Sequence, residues 1–331
     1  MKNCIASTLL LLVAISAIEA ASVAKPTCGG STSSKNINLV NPANPPRVCE
    51  YHLKAYSKYV CQLRIDWAMT LAQPTLESAD SGLTYAECTK DYFEVDGLRL
   101  CGTEVWQHIY VPFNATDGES VVDLVIGLAD RAGATGLPTP SWDITVTQLE
   151  CPAGASVRSL DLQEEEELEN LPTIEGRAST IKDGFFVAPP GCLQYFPQSK
   201  GAVKSFNYND GNGIYPSRMN YAICFRRETG TKELTIRAYD FNVGDVVSSS
   251  TLTTDENCYS SDSTNDLDAD FLMVPQATFE DSHKHATYFC GSIKKDVVIS
   301  SNNPGPLMVL FNSDDIYRQN EAGFAFTYVV S

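Results

Sequence analysis

The run Leu307-Met308-Val309-Leu310-Phe311-Asn312-Ser313-Asp314-Asp315, with Gly323-Phe324-Ala325-Phe326-Thr327-Tyr328-Val329-Val330 after it, decides the fold class. In the second stretch Phe324, Phe326 and Tyr328 fall at every second position. An extended strand therefore carries all three large rings on one face. The apolar bursts are short and rich in aromatic and β-branched residues. Val297-Val298-Ile299 is parted from Leu307 by Asn302-Asn303-Pro304-Gly305, residue types that favour turns. The pattern predicts antiparallel strands, an acidic loop at Asp314-Asp315, and a second sheet covering the ring-bearing face.

The same alternation recurs upstream. Leu234, Ile236 and Ala238 share one face of a predicted strand. Leu63, Ile65 and Trp67 alternate with Gln62, Arg64 and Asp66, as in a half-buried strand. Val121 to Ala129 and Trp142-Asp143-Ile144-Thr145-Val146 read as further strands. The chain is all-β by pattern. Its 331 residues, 43% of them apolar, suffice for two ordinary domains.

Residues 1 to 20, with Lys2, an apolar run from Leu9 to Ile18 and small residues at Ala20-Ala21, read as a cleaved secretory signal. No later stretch reaches the roughly 18 uninterrupted apolar residues of a membrane span. A secreted, extracellular product is expected. Of 11 cysteines, Cys4 leaves with the signal and ten remain, an even number that favours disulfides in an oxidising compartment. Zinc is the weaker reading, since no C-x-x-C spacing exists and there are four histidines in all. The net charge of −17 disfavours nucleic acid and anionic membranes, and suits cationic partners or divalent ions.

Quoted together, "ISSNNPGPLMVLFNSDD" and "EAGFAFTY", preceded by Cys290-Gly291, resemble the C-terminal half of a CUB domain. That family's pattern is Cys-Gly, an apolar strand, F-x-S-D and a closing G-F-x-x-x-Y. Phe311, Ser313, Asp314, Gly323, Phe324 and Tyr328 fit it. Gly191-Cys192, Gly201, Tyr215-Pro216 and Asn220-Tyr221-Ala222-Ile223-Cys224 look like the opening of the same domain, giving a second module at 190–331. Cys28-Gly29-Gly30 and Cys49-Glu50-Tyr51-His52-Leu53 are similar to the start of a diverged first copy, 28–151.

The resemblance implies two tandem jelly-roll β-sandwiches and the pairs Cys28–Cys49, Cys88–Cys101, Cys192–Cys224 and Cys258–Cys290. A variant with C-Q-L-R-x-D-[aromatic], resembling secreted arthropod proteins, adds Cys61, and Leu149-Glu150-Cys151 supplies its partner, Cys151. An immunoglobulin-type sandwich is the competing fold. It requires an inter-sheet pair near a central Trp in each domain, yet Trp67, Trp106 and Trp142 all lie in the first module. Between the modules, 152–189 holds Asp161, Glu164, Glu165, Glu166, Glu167, Glu169 and Glu175 and few aromatics, so it reads as an acidic disordered linker. Asn114-Ala115-Thr116 is a glycosylation acceptor.

No metalloprotease H-E-x-x-H, G-x-S-x-G elbow, G-K-[ST] loop or G-D-S-G-G is present, so no enzyme is expected. The resemblance does imply a calcium ion, which takes hard oxygen ligands at loop ends. In the second module Asp270 and Asp314 match two of its aspartates, with Asp245 near the position of the expected Glu. In the first, Asp91 and Asp130 match more loosely, with Gln73 near the expected acid. The alternative is that these carboxylates cap turns. The function that follows is a secreted, non-enzymatic adaptor for an extracellular protein or glycan with basic groups. An accessory of an extracellular protease system and a structural secretion or matrix protein are the alternatives.

Overall fold

The computed structural model describes residues 23–331 apart from 80–82, 114, 116–119, 133, 152–182, 245–251, 256–257, 259, 262–266, 269, 281, 294–295 and 318–320. The expected signal, most of the acidic linker, the sequon residue Asn114 and Asp245 therefore lie outside the described residues.

Two sheets form the N-terminal sandwich. One has the order Ser31–Thr32, Val48–Lys54, Val121–Gly127, Tyr92–Val95, Leu98–Leu100, and the other Asn36–Val40, Ser141–Glu150, Val60–Thr70, Thr103–Pro112. The alternation in Leu63, Ile65 and Trp67 puts all three inside, at 0%, 0% and 4% exposure. Trp67 meets Phe93 of the opposite sheet edge-on at 5.3 Å. Trp142 Nε1 donates across the same gap to the Tyr51 hydroxyl at 3.3 Å. Burying each such ring contributes roughly 1.5–3 kcal/mol.

In the C-terminal half Ser260–Ser261 and Leu267–Asp268 form a separate two-stranded sheet, and ten strands form one rolled sheet. Its path runs Cys192–Phe196, Asn220–Phe225, Leu307–Asn312, Phe271–Phe279, His285–Ile293, Leu234–Val243, Gly323–Val330, Lys200–Lys204. Val297–Ser301 pairs with both Leu234–Val243 and Phe271–Phe279, which closes the roll. The rings foreseen on one face of Gly323–Val330 are buried. Phe324 meets Phe311 of the opposing layer at 5.3 Å, and Tyr328 meets Phe225 at 4.6 Å.

The ten sulfurs fall into the five pairs Cys28–Cys49, Cys61–Cys151, Cys88–Cys101, Cys192–Cys224 and Cys258–Cys290. Each lies within one half of the chain. The last part of the expected linker is not a free tether. Asp183, 8% exposed, takes the Lys35 ammonium at 2.6 Å and the Glu150 N–H at 3.2 Å, and Ala188 exchanges hydrogen bonds with the Gln62 side chain.

The two halves pack along a polar seam. Gln107 Nε2 donates to the carbonyls of Ser205 and Lys204, and Gln107 Oε1 accepts from Gln194. His108 Nε2 donates to the Tyr195 carbonyl at 2.9 Å. The Asn207 side chain accepts from Thr103 N–H and donates to Gln73, while its backbone N–H donates to Glu104. A Cβ on Gly102 would lie 2.0 Å from Asn207 Oδ1, and Gly102 has φ +82°, so this approach needs glycine. Ser217 and Ala86 exchange two further bonds. A buried donor or acceptor left unpaired costs about 1–3 kcal/mol, so these matched groups hold the halves in one relative placement.

Candidate ligand-binding surfaces

Three places collect chemistry-bearing side chains. The first is the acidic end of the C-terminal sandwich. Asp270, 6% exposed, stands where strand Phe271–Phe279 begins. Its Oδ2 accepts from the Tyr215 hydroxyl at 2.6 Å and its Oδ1 from the Asp314 N–H at 2.5 Å. The Tyr215 hydroxyl also receives the Gly244 N–H. Ser313 ties this loop down, accepting from Met219 N–H and donating to the Pro216 carbonyl. Burial, then the charges of Asp270 and Glu321, hold the Tyr215 phenol well above its ordinary value.

Glu321, 2% exposed, is a second buried acid here that sequence reasoning missed. It lies outside the F-x-S-D and G-F-x-x-x-Y elements, and its burial is a tertiary property. Asp270 and Asp314 are thus brought together, although the Asp314 carboxylate caps the Ile316 N–H at 2.7 Å. Among the described residues no three of His, Cys, Asp and Glu converge closely enough to hold a metal.

The second place is the matching end of the N-terminal sandwich, where the suggested pair is split. The Asp91 side chain is fully buried and grips Arg131 through both oxygens, at 2.6 and 2.8 Å. It also accepts the Ala72 and Ala129 N–H groups. Burial alone would raise the Asp91 pKa, but the guanidinium and the two N–H groups outweigh it and lower it. Asp130 turns away toward Arg47, 3.6 Å distant and exposed, and Gln73 is occupied by Asn207. A guanidinium already supplies the positive charge at Asp91, and the carboxylates do not converge.

The third is a bulge beside the seam. Strand Thr103–Pro112 slips register between the pairs Trp67–Gln107 and Ala68–Val105, leaving Trp106 unpaired. Glu104 and Gln107, on either side of the bulge, are buried in the seam, while Val105 is 38% exposed and Trp106 is 93% exposed with φ +62°. A bulky residue in the left-handed region is strained by roughly 1–3 kcal/mol. Trp106→Gly is therefore expected to raise stability by about 1 kcal/mol in denaturant melts. A loss of stability would show that the indole packs on something.

Residues 189–331 match the family model of the animal CUB domain. This part of the chain is a CUB domain. Its start coincides with the end of the segment docked on Gln62, and its matched span contains the whole rolled sheet. Two solved structures align along most of the chain: the CUB1-EGF-CUB2 domains of rat MASP-1, at 14% identity over 90% of this chain and 99% of that one with a TM-score of 0.27, and the CUB1-EGF-CUB2 domain of human MASP-1/3, at 13% identity over 90% and 100% with a TM-score of 0.26. No curated protein matches in sequence. No helix among the described residues is long and apolar enough to cross a membrane. The CUB domain gives the chain a protein-interaction role.

Proposed function

We propose that the protein is a secreted, non-enzymatic adaptor of two CUB-like modules, 28–151 and 190–331, held at a fixed angle by the seam and presenting loop ends and bulges to an extracellular protein. The observation that carries this reading is Trp106. An exposed, strained indole between two buried seam residues is costly to keep, and Trp is enriched among residues that anchor interfaces. The charge of −17 favours a partner with basic groups. Ten paired cysteines suit the oxidising route out of the cell. The test is cross-linking of the secreted full-length protein in its native fluid. A cross-linked species present with wild type and lost with Trp106→Ala supports the adaptor. Self-association alone would support a structural role, and a co-purifying protease the accessory one.

Calcium belongs to the same proposal, at the acidic end of the CUB domain. Support comes from the burial of Asp270 beside Glu321 and Asp314, oxygen donors of the kind calcium takes. Asp245 directly follows Gly244, whose N–H reaches the same tyrosine. A ligand that binds only the folded state raises its stability. Millimolar calcium is expected to raise the melting temperature of the full chain relative to chelator. Asp270→Asn, which retains an acceptor for Tyr215, is expected to abolish that shift. Equal melting with and without calcium would remove the ion and leave the adaptor.

A further inference from the structure

On the outer face of the CUB domain lies an open cavity of about 570 Å³ lined by Lys204, Tyr208, Asp210, Gly211, Tyr239, Asp240 and Asn242. This lies within the size range of small-molecule sites. None of these residues belongs to the acidic end around Asp270, and the adaptor reading uses none of them.

Two distortions of the chain build it. Strand Leu234–Val243 slips register between Ala238 and Asp240, which turns Tyr239 and Asp240 to the same side. Tyr239 is left 38% exposed. Opposite, the loop after Lys200–Lys204 places Asn207, Asn209 and Asp210 at φ +51°, +43° and +53°. Non-glycine residues with such angles are uncommon and collect at ligand sites. At Gly211, with φ +80°, a Cβ would stand 3.0 Å from Asp240 Oδ2, so glycine lets loop and strand approach.

The polar groups are preset. Asp240 Oδ2 accepts from the Tyr208 hydroxyl at 2.6 Å. Lys204 Nζ donates to Asp210 at 2.9 Å and sits 5.7 Å from the centre of the Tyr208 ring. Asn242 Oδ1 is held by the Ser292 hydroxyl, and its amide nitrogen lies 3.4 Å from Asp240 Oδ1. Acceptors (Asp240, Asp210) and donors (Lys204, Asn242) thus line the cavity together with two phenol rings.

This mixture selects a ligand class. An anion would meet two carboxylates, and a cation would meet Lys204 on the rim. A purely apolar ligand would strand the charged groups. A neutral polyhydroxyl compound avoids all three penalties, because each hydroxyl both donates and accepts, and its C–H face can lie on an aromatic ring. We propose that the cavity between the 207–211 loop and strand Leu234–Val243 binds a neutral sugar, its carbon face on Tyr239 and its hydroxyls on Asp240, Asn242 and Lys204. The proposal goes beyond the protein-binding reading and uses a separate surface.

The test is saturation-transfer NMR on the full-length protein with the methyl glycosides of glucose, galactose, mannose, fucose and N-acetylglucosamine, each beside Nα-acetyl-lysine amide and methyl phosphate. At least one glycoside is expected to receive saturation, and the cation and anion none. Tyr239→Ala and Asp240→Asn should each weaken binding by about tenfold, while Tyr239→Trp, which keeps an aromatic face, should retain it. Absence of transfer to every glycoside, transfer unaffected by Tyr239→Ala, or transfer to the lysine amide would each overturn the proposal. Calcium-dependent melting at Asp270 is unaffected by any of these results, so failure here leaves the adaptor reading where it stands.

Discussion

Arg131→Met is expected to cost the N-terminal sandwich about 3 kcal/mol, because removing one member of a buried ion pair leaves the other charged and uncompensated. The Asp91 side chain is fully buried and that of Arg131 one-third exposed, which places the loss at the lower end of the range for buried pairs. Two backbone N–H groups, from Ala72 and Ala129, remain on Asp91 and limit the damage. The Asp91 pKa lies below its ordinary value in the folded state. Its contribution is therefore complete above the unfolded pKa, about 3.9, and fades as pH falls through the folded value. Urea melts at pH 7 and pH 3 check both statements. The variant should lose most at pH 7, and the gap to wild type should narrow at pH 3. The double variant Asp91→Asn with Arg131→Met should be more stable than Arg131→Met alone, since no buried charge is stranded. An equally unstable double variant would mean that the guanidinium acts by packing.

The sequence carries the strands and the staples plainly, and the seam hardly at all. Leu63, Ile65 and Trp67 alternate, and Phe324, Phe326 and Tyr328 alternate, because each strand buries one face. Family pattern pairs all ten cysteines, Cys61 and Cys151 through its C-Q-L-R-x-D-[aromatic] variant although 90 residues part them. The halves, by contrast, join through Glu104, Gln107, His108, Gln194 and Asn207. Polar residues on strands and loops read as solvent-facing, and only the partner surface shows that they are buried. Trp106 escapes for another reason. A bulge inserts one residue and breaks the period of two, so the alternation that marks Leu63, Ile65 and Trp67 gives no sign that Trp106 stands in water. Asp91 and Arg131 lie forty residues apart, so sequence could suggest the acid but not the guanidinium that occupies it. Asp314 lies in the F-x-S-D motif and Asp270 is suggested only by the family resemblance, whereas the company of Glu321 is set by the roll of the sheet.

The pH dependence of stability below about pH 6.5 is expected to be shallower in wild type than in variants of either of two seam residues, because these push it in opposite directions. His108 is 6% exposed; burial, then the nearby Arg64 charge, push its pKa down to about 4 against the pull of Asp66 and the Tyr195 carbonyl. The folded state keeps this ring neutral while the unfolded chain takes up a proton below about 6.5. Stability is lost as pH falls, by about 1.4 kcal/mol per unit. Glu104 behaves in reverse. Burial holds its carboxyl well above the usual range, opposed by the Asn207 N–H, and its Oε2 has no hydrogen-bond partner among the described residues. The folded state keeps it protonated while the unfolded chain releases the proton above about 4.3. Its contribution is therefore full below that value and is lost as pH rises. One effect thus binds a proton on folding and the other releases one, so the slopes oppose each other. Each single variant should uncover its neighbour. Glu104→Gln keeps an acceptor for Asn207 without a charge to bury; it should be more stable than wild type at pH 7 and lose stability on acidification. His108→Gln should gain stability on acidification over the same window. Parallel flat profiles for wild type and both variants in denaturant melts from pH 4.5 to 7 would show that neither group titrates between the folded and unfolded states, and that water reaches the seam.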